Sequence, residues 1–253
     1  MPDPNLSLNL IELDSAGKRI VSPPGVPPVM NGYDANALEE ALRLREKHGG
    51  RVTAVGLGDD SSRESLKRAI AMGADSAVLL DDPDWLHADS AGVARALSAA
   101  IRKLGNFDLI LCGRQASDTD GGQVLHWIAE LLDLPSVSPV AKIEAVDGRS
   151  LTVHRLIEDG YQRLRVELPA LLGISSEINE PRYPPPRGVM KADRVRISGW
   201  KGSDLGLQEI SAKVQLRQLQ IQLRTSKAEI IEGSSAAERG AALADKLREL
   251  GLV

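Results

Sequence analysis

Apolar residues along the chain recur at two spacings, and the alternation between these predicts the fold. Leu38, Ala41 and Leu42 form a helical stripe that Asp34 or Asn36 can cap and Gly49-Gly50 stops. Residues 51–57 read as a short buried strand. Ser61 and Glu64 have capping-box spacing at the start of a second helix, which carries Leu66, Ile70 and Met72 and ends at Gly73. Residues 76–80 are another strand. Asp89 or Ser90 caps a third helix with Val93, Leu97, Ile101 and Leu104, closed by Gly105. Residues 107–112 are again strand-like. Strands alternating with helices in this way imply crossover units, with a parallel sheet covered by helices on both faces. The predicted fold class is α/β, a doubly wound, mostly parallel sheet.

The flanks have a different texture. Residues 5–13 alternate, with Leu6, Leu8, Leu10 and Leu13 on the apolar side, and read as an exposed strand. Pro23, Pro24, Pro27 and Pro28 make residues 22–28 extended. After Pro135, strand-like runs at 140–146, 151–156 and 162–168, split by turns at 147–149 and 158–160, form a β-meander. Residues 170–174 continue as a buried strand. Pro181, Pro184, Pro185 and Pro186 exclude helix from 179–188 and make it a surface loop. Residues 192–232 are polar and read as a segment laid on something. Ser234 or Ser235 caps a final helix whose Leu243, Leu247 and Leu250 stripe must pack on this chain or on a partner. The implied organisation is an α/β nucleotide-binding domain over 1–191 and an extended segment with a C-terminal arm over 192–253.

Composition narrows the function classes. The chain has 253 residues, 42% hydrophobic, enough for one large core. A net charge of −4 and 3% aromatics argue against nucleic-acid binding. No apolar run is long enough to span a membrane, and no signal peptide is visible. The single cysteine, Cys112, excludes an internal disulfide and fits the cytoplasm. It reads as a small buried hydrophobe, with Arg114 near enough to lower its pKa. His48, His87, His126 and His154 show no metal spacing.

The chemistry is concentrated at residues 109–124. Leu109–Leu111 is a buried strand, and from Val124 apolar residues recur at helical spacing. Between them lie Gly113, Arg114, Gln115, Ala116, Ser117, Asp118, Thr119, Asp120, Gly121, Gly122 and Gln123. Such a loop brings several backbone N–H groups to the positive end of a helix dipole, which suits a phosphate. A plain strand-to-helix turn fits the residues equally well. Asp118 and Asp120 shape the loop or cap a helix beginning near Gly121. Neither a lysine-bearing phosphate loop nor the Gly-x-Gly-x-x-Gly pattern is present, and no catalytic constellation stands out. The loops at 31–34, 57–60 and 113–123 would converge on one crevice beyond the carboxyl ends of the strands.

Five stretches resemble the β subunit of electron transfer flavoprotein, the group that includes the FixA proteins. They are Val29-Met30-Asn31-Gly32-Tyr33-Asp34 with residues 37–42, Ala71-Met72-Gly73-Ala74-Asp75, and Cys112-Gly113-Arg114-Gln115-Ala116 with Gly122-Gln123-Val124. The last two are Asn179-Glu180-Pro181-Arg182-Tyr183 with Val189-Met190-Lys191-Ala192, and Ile231-Glu232-Gly233-Ser234. They occur in the family's order over residues 26–250. Each is weak alone; together they are specific.

The resemblance implies an electron carrier working as a heterodimer with an α subunit, without a catalytic centre of its own. Oxidoreductase activity would arise only in a bifurcating form. FAD would be held mainly by the α subunit. This chain would bury a nucleotide, AMP in most members, at Asn31, Gly32, Tyr33, Asp34, Leu57 and Gly113 to Val124. Gly122, Gln123 and Val124 would take the phosphate, and Tyr33 would lie near the partner's flavin. Tyr183, Pro186, Arg187, Met190 and Lys191 would fall in the loop that anchors a partner dehydrogenase or quinone oxidoreductase. The terminal helix would embrace the α subunit.

Three departures from the family pattern qualify these expectations. Members begin with a strand, interior to the sheet, just before the position of Met1. That leaves a start downstream of the natural one, or a sheet with one strand fewer. Pro186 stands where the acyl-CoA dehydrogenase-binding type carries a leucine, so docking there would be weaker or directed elsewhere. The Asp120-Gly121-Gly122-Gln123 loop resembles that of electron-bifurcating members, which hold a second FAD in the crevice instead of AMP and exchange electrons with NADH. A non-redox nucleotide-binding interaction module is the third reading.

Overall fold

The computed structural model describes residues 10–18, 20, 21, 23–26, 28–85, 88–207, 210, 212–221 and 228–253. The chain forms two compact units, residues 1–219 and 220–253. The first opens with a small antiparallel hairpin, β1 (Glu12–Leu13) and β2 (Ile20–Val21). Of the alternating stretch at 5–13, residues 5–9 lie outside the described part, as does His87.

The α/β alternation follows the spacing closely. Its elements are α1 (Gly32–His48), β3 (Thr53–Leu57), α2 (Arg63–Met72), β4 (Ser76–Leu80), α3 (Ser90–Leu104), β5 (Leu109–Gly113) and α4 (Val124–Leu132). The predicted meander is β6 (Ser136–Asp147), β7 (Ser150–Ile157) and β8 (Gly160–Glu167), followed by β9 (Ala170–Ile174). Then come α5 (Pro186–Arg194) and β10 (Ser198–Trp200).

These strands form two larger sheets. In one, β10, β4 and β3 are all parallel. In the other, β5, β9 and β6 are parallel, and β7 and β8 extend it antiparallel. Central strands are the most buried: all of β9 and the last four residues of β4 are closed to solvent. Leu79, Leu80, Leu171 and Leu172 are fully buried, each contributing about 1.5–3 kcal/mol of transfer free energy.

Two helices bridge both sheets. On one face α1 packs Leu38 against the cluster of Leu66, Ile70 and Leu79 that Val52 and Ala54 also join, and Ala37 lies in the group containing Leu109 and Leu111. On the other, α3 sets Ala96 and Ala100 with Val55 and Leu57, and Ala94 with Ile110 and Cys112. Strands β3 and β5 are thus edges that share helical cover. Among the described residues each hydrogen-bonds to one neighbouring strand only, and both are half-buried throughout.

Three local expectations are corrected. The Ser61–Glu64 capping box does not form: Asp59 caps a short 3-10 turn at Asp60–Ser62 by accepting from the Ser61 N–H, and α2 follows it. Helix α4 begins at Val124, not near Gly121. The prolines of 179–188 do not exclude helix either. Pro186 is the first residue of α5, where its missing N–H costs nothing and its fixed φ suits the helix.

In the second unit Ser235 caps α6 (Ala236–Glu249), accepting from the Glu238 N–H at 3.2 Å. Among the described residues Lys246 pairs with Glu229 at 2.8 Å, and no residue of α6 is buried.

Candidate functional site

The first turn of α1 and the loop after β5 are built onto each other. Neither Asn31, the N-cap position, nor Asp34 caps its own helix. Both side chains are engaged elsewhere. Asn31 Nδ2 donates to the Gln115 carbonyl at 2.9 Å, and Asn31 Oδ1 accepts from Ser117 Oγ at 2.5 Å. Asp34 Oδ1 accepts from the Gly113 N–H at 2.7 Å. Only glycine fits at 113, because a Cβ there would lie 2.8 Å from Tyr33 Cβ and 2.9 Å from the Asp34 nitrogen.

The loop also closes on itself. The Ala116 N–H donates to the Gly121 carbonyl at 3.0 Å, and the Gln115 side chain donates to Asp120. Strain falls on Asp120, at φ 56°, and on neither Gly121 nor Gly122. Asp120 therefore shapes the loop; it caps no helix. A Cβ on Gly122 would meet the Arg114 carbonyl at 3.2 Å, so that glycine lets the returning strand of the loop approach the outgoing one.

This fold leaves the N-terminus of α4 open. Gln123 occupies the N-cap position with no side-chain cap, and the preceding residues 117–121 are exposed. First-turn N–H groups without a cap are anion donors. Arg114 stands at the root of the loop, its guanidinium 5.0 Å from the centre of the Tyr33 ring. Its backbone N–H extends the β5–β9 ladder to Ile174 at 2.9 Å. Arg114 Nε is buried without a hydrogen-bond partner.

Residues 31–34 and 113–124 are thus brought together as expected. Leu57 is not joined to them by any hydrogen bond among the described residues: at the end of β3, its side chain packs with Val78, Leu80 and α3. Cys112 is not activated by Arg114. Burial of the sulfur, with the Asp34 carboxylate as a second cause, pushes the thiol up to about 12. Among the described residues no cluster of three or more His, Cys, Asp and Glu side chains is arranged to hold a metal.

The other group of expected residues gathers around α5. Tyr183 is 90% exposed, and Met190, Arg187 and Lys191 are exposed along the helix that Pro186 begins. The opposite side of α5 packs Ala192 against Leu66 and Ile70. Gly188 lies so close to α2 that a Cβ would fall 2.1 Å from the Ala71 carbonyl oxygen.

Sequence reading missed the groups that tie this segment down. Asn36, Glu39 and Glu40 are buried on α1. Arg182 donates from Nε to Glu39 at 2.7 Å and from Nη2 to Glu46 at 3.2 Å. Asn36 Nδ2 donates to the Asn179 carbonyl at 2.7 Å, and Asn179 Nδ2 donates back to the Asn36 carbonyl at 3.0 Å. The signal was present: polar residues at i, i+3 and i+4 sharing a face with Ala37 mark a buried polar seam.

The sequence matches those of known proteins over most of its length. Residues 21–205 match the electron transfer flavoprotein domain. The electron transfer flavoprotein subunit beta of Thermoanaerobacterium thermosaccharolyticum is 45% identical over 184 residues, covering 73% of this chain and 70% of that protein. The caffeyl-CoA reductase-Etf complex subunit CarD of Acetobacterium woodii is 37% identical over 235 residues, covering 90% of this chain and 89% of that one. Protein FixA of Azorhizobium caulinodans is 36% identical over 234 residues, covering 87% and 83%. On these matches, and with an α/β architecture, the chain belongs to the electron transfer flavoprotein β-subunit family and is a flavoprotein component of electron transport.

Proposed function

We propose that this chain pairs with an α subunit, that the pair shuttles electrons between a dehydrogenase and an acceptor through FAD held with the α subunit, and that the crevice between α1 and α4 binds AMP. The observation that carries the nucleotide assignment is the uncapped N-terminus of α4 beside a loop that α1 holds in shape. A phosphate fits the donors present: first-turn amides of α4 supply hydrogen bonds, and Arg114, at the root of the loop, supplies positive charge. Bound FAD supplies one- and two-electron chemistry. This chain would supply Tyr33 toward it, a ring held by the bond of neighbouring Asp34 to Gly113 and by the Arg114 guanidinium over it.

Gly121 and Gly122 do not by themselves call for a second FAD. Gly122 is accounted for by its approach to Arg114, and a Cβ on Gly121 would meet Thr119 Oγ1 at 3.3 Å. Co-expression with the α subunit, followed by extraction and mass spectrometry, is expected to yield one FAD and one AMP per heterodimer. Two FAD and no AMP would overturn the AMP assignment in favour of a bifurcating subunit that reacts with NADH.

Among the described residues no helix is long and apolar enough to cross a membrane. Docking of the dehydrogenase is assigned to Tyr183 and the exposed face of α5, where an aromatic ring and Met190 stand free beside Arg187 and Lys191. Tyr183→Ala is expected to slow flavin reduction by the donor dehydrogenase while leaving FAD content intact. Unchanged reduction would remove the docking role.

A further inference from the structure

We infer that Arg182, with Glu39 and Glu46, is a positioning clasp that fixes where Tyr183 stands, so that the docking segment is set before any partner arrives.

The clasp is more elaborate than holding a loop requires. The Glu39 side chain is 4% exposed and carries a carboxylate into the seam beneath residues 179–182. Burial pushes that carboxyl up, but donors from the Arg182 side chain and backbone, and from Arg43, outweigh it and hold the pKa below its ordinary value. Glu39 Oε2 accepts from both the Arg182 backbone N–H, at 3.2 Å, and Nε. Glu39 Oε1 accepts from Nη2 at 3.1 Å and from Arg43 Nε at 2.8 Å. The remaining face of the guanidinium reaches Glu46, one helical turn away from Arg43. Four hydrogen bonds from one planar fork thus meet two carboxylates seven residues apart on one helix, a geometry that a lysine cannot reproduce.

Buried ion pairs contribute little net stability compared with apolar packing, and in some proteins they serve instead to specify one arrangement. Here the arrangement specified is the backbone at 182, because its N–H is one of the donors. Tyr183 is the next residue, and its own side chain has almost no support. Asn36 and Asn179 fix the other end of the same stretch by exchanging two backbone-directed bonds. The bonds of these groups run to one another and to Arg43 and Glu40, not to residues 113–124, so the clasp is a separate device on the same helix.

The purpose of the clasp rests on the docking role proposed above, but its existence is measured without a partner. In the full chain purified with its α subunit, nitroxides at Tyr183→Cys and at exposed Arg95→Cys, in a Cys112→Ala background, report the spread of positions at 183 by pulsed electron resonance. The parent is expected to give one narrow distance distribution. Arg182→Met is expected to broaden it at least twofold, and Arg182→Lys to restore it only in part. If Arg182→Met fails to fold, Glu46→Gln removes one carboxylate at an exposed position and is expected to broaden the distribution to a smaller degree. An unchanged width in whichever variant folds would overturn the clasp. The docking role fails on a different result, unchanged electron uptake in Tyr183→Ala.

Discussion

Asp34 Oδ1 accepts a hydrogen bond from the Gly113 N–H at 2.7 Å, so the first turn of α1 fixes the point where β5 becomes the loop proposed to hold the nucleotide. Asp34→Ala removes the acceptor and leaves that N–H to water. Asp34 is exposed, so the expected loss of stability is about 1 kcal/mol. AMP affinity of the purified heterodimer is expected to fall more noticeably, about tenfold, since the loop then samples other shapes. Asp34→Asn keeps an acceptor oxygen and is expected to lie between. Calorimetric titration with AMP checks both; equal affinity for parent and Asp34→Ala would show that this bond does not shape the site.

Gly122→Val tests the loop from its other side. Its Cβ would begin 3.2 Å from the Arg114 carbonyl, and branching makes the clash worse. Nucleotide content after purification is expected to drop to near zero, with a stability loss of about 1–3 kcal/mol. Nucleotide retained at the parent level would separate phosphate binding from this loop.

Acid should loosen the 179–182 seam. The Glu39 carboxyl is held below its ordinary value in the folded chain, and so is Asp75, mainly by the Val52 N–H and Arg45. A depressed folded pKa means that the unfolded chain binds more protons as pH falls. The stability these carboxylates contribute is therefore complete above their ordinary values of 4.5 and 3.8, and is lost as pH drops through the lowered ones. Urea unfolding between pH 7 and pH 3 should show this decline. Glu39→Gln should begin about 1–3 kcal/mol less stable at pH 7 and decline more gently below it. A parallel decline would show that Glu39 does not carry the effect.

Asp133 offers a stabilising change. It ends α4 in the left-handed region, φ 54° and ψ 50°, where a side chain costs about 1 kcal/mol. Its negative charge also sits at the negative end of the helix dipole. Asp133→Gly removes both penalties and is expected to raise stability by about 0.5–1 kcal/mol, seen as a higher urea midpoint with an unchanged slope.

Much of the fold was legible because its spacing rules are local. The 76–80 strand and the Gly73 and Gly105 stops rest on apolar runs and glycine alone, and the structure places them where the spacing does. The capping expectations at Asp34 and Ser61 failed for a tertiary reason. A side chain that could close its own helix was drawn away in one case, to Gly113, and in the other the turn before it was already capped by Asp59. Prolines misled in the opposite direction: the same ring that breaks a helix interior starts one when it occupies the first position, as Pro186 does. The crevice was legible through Gly113 to Val124, whereas the Arg182 seam joins residues 143 positions apart and leaves no periodic trace.

Gly188 and Arg182 bracket a very short length of chain. At one end the guanidinium is gripped by α1; at the other, α5 touches α2 so closely that only hydrogen fits. Between them lie Tyr183, three prolines and Arg187. Proline leaves the unfolded chain few conformations, and two anchored ends leave the folded one fewer still. Any protein that binds Tyr183 there meets a surface with little entropy left to lose, so a small contact suffices for useful affinity, and encounter need not wait for the loop to find its shape.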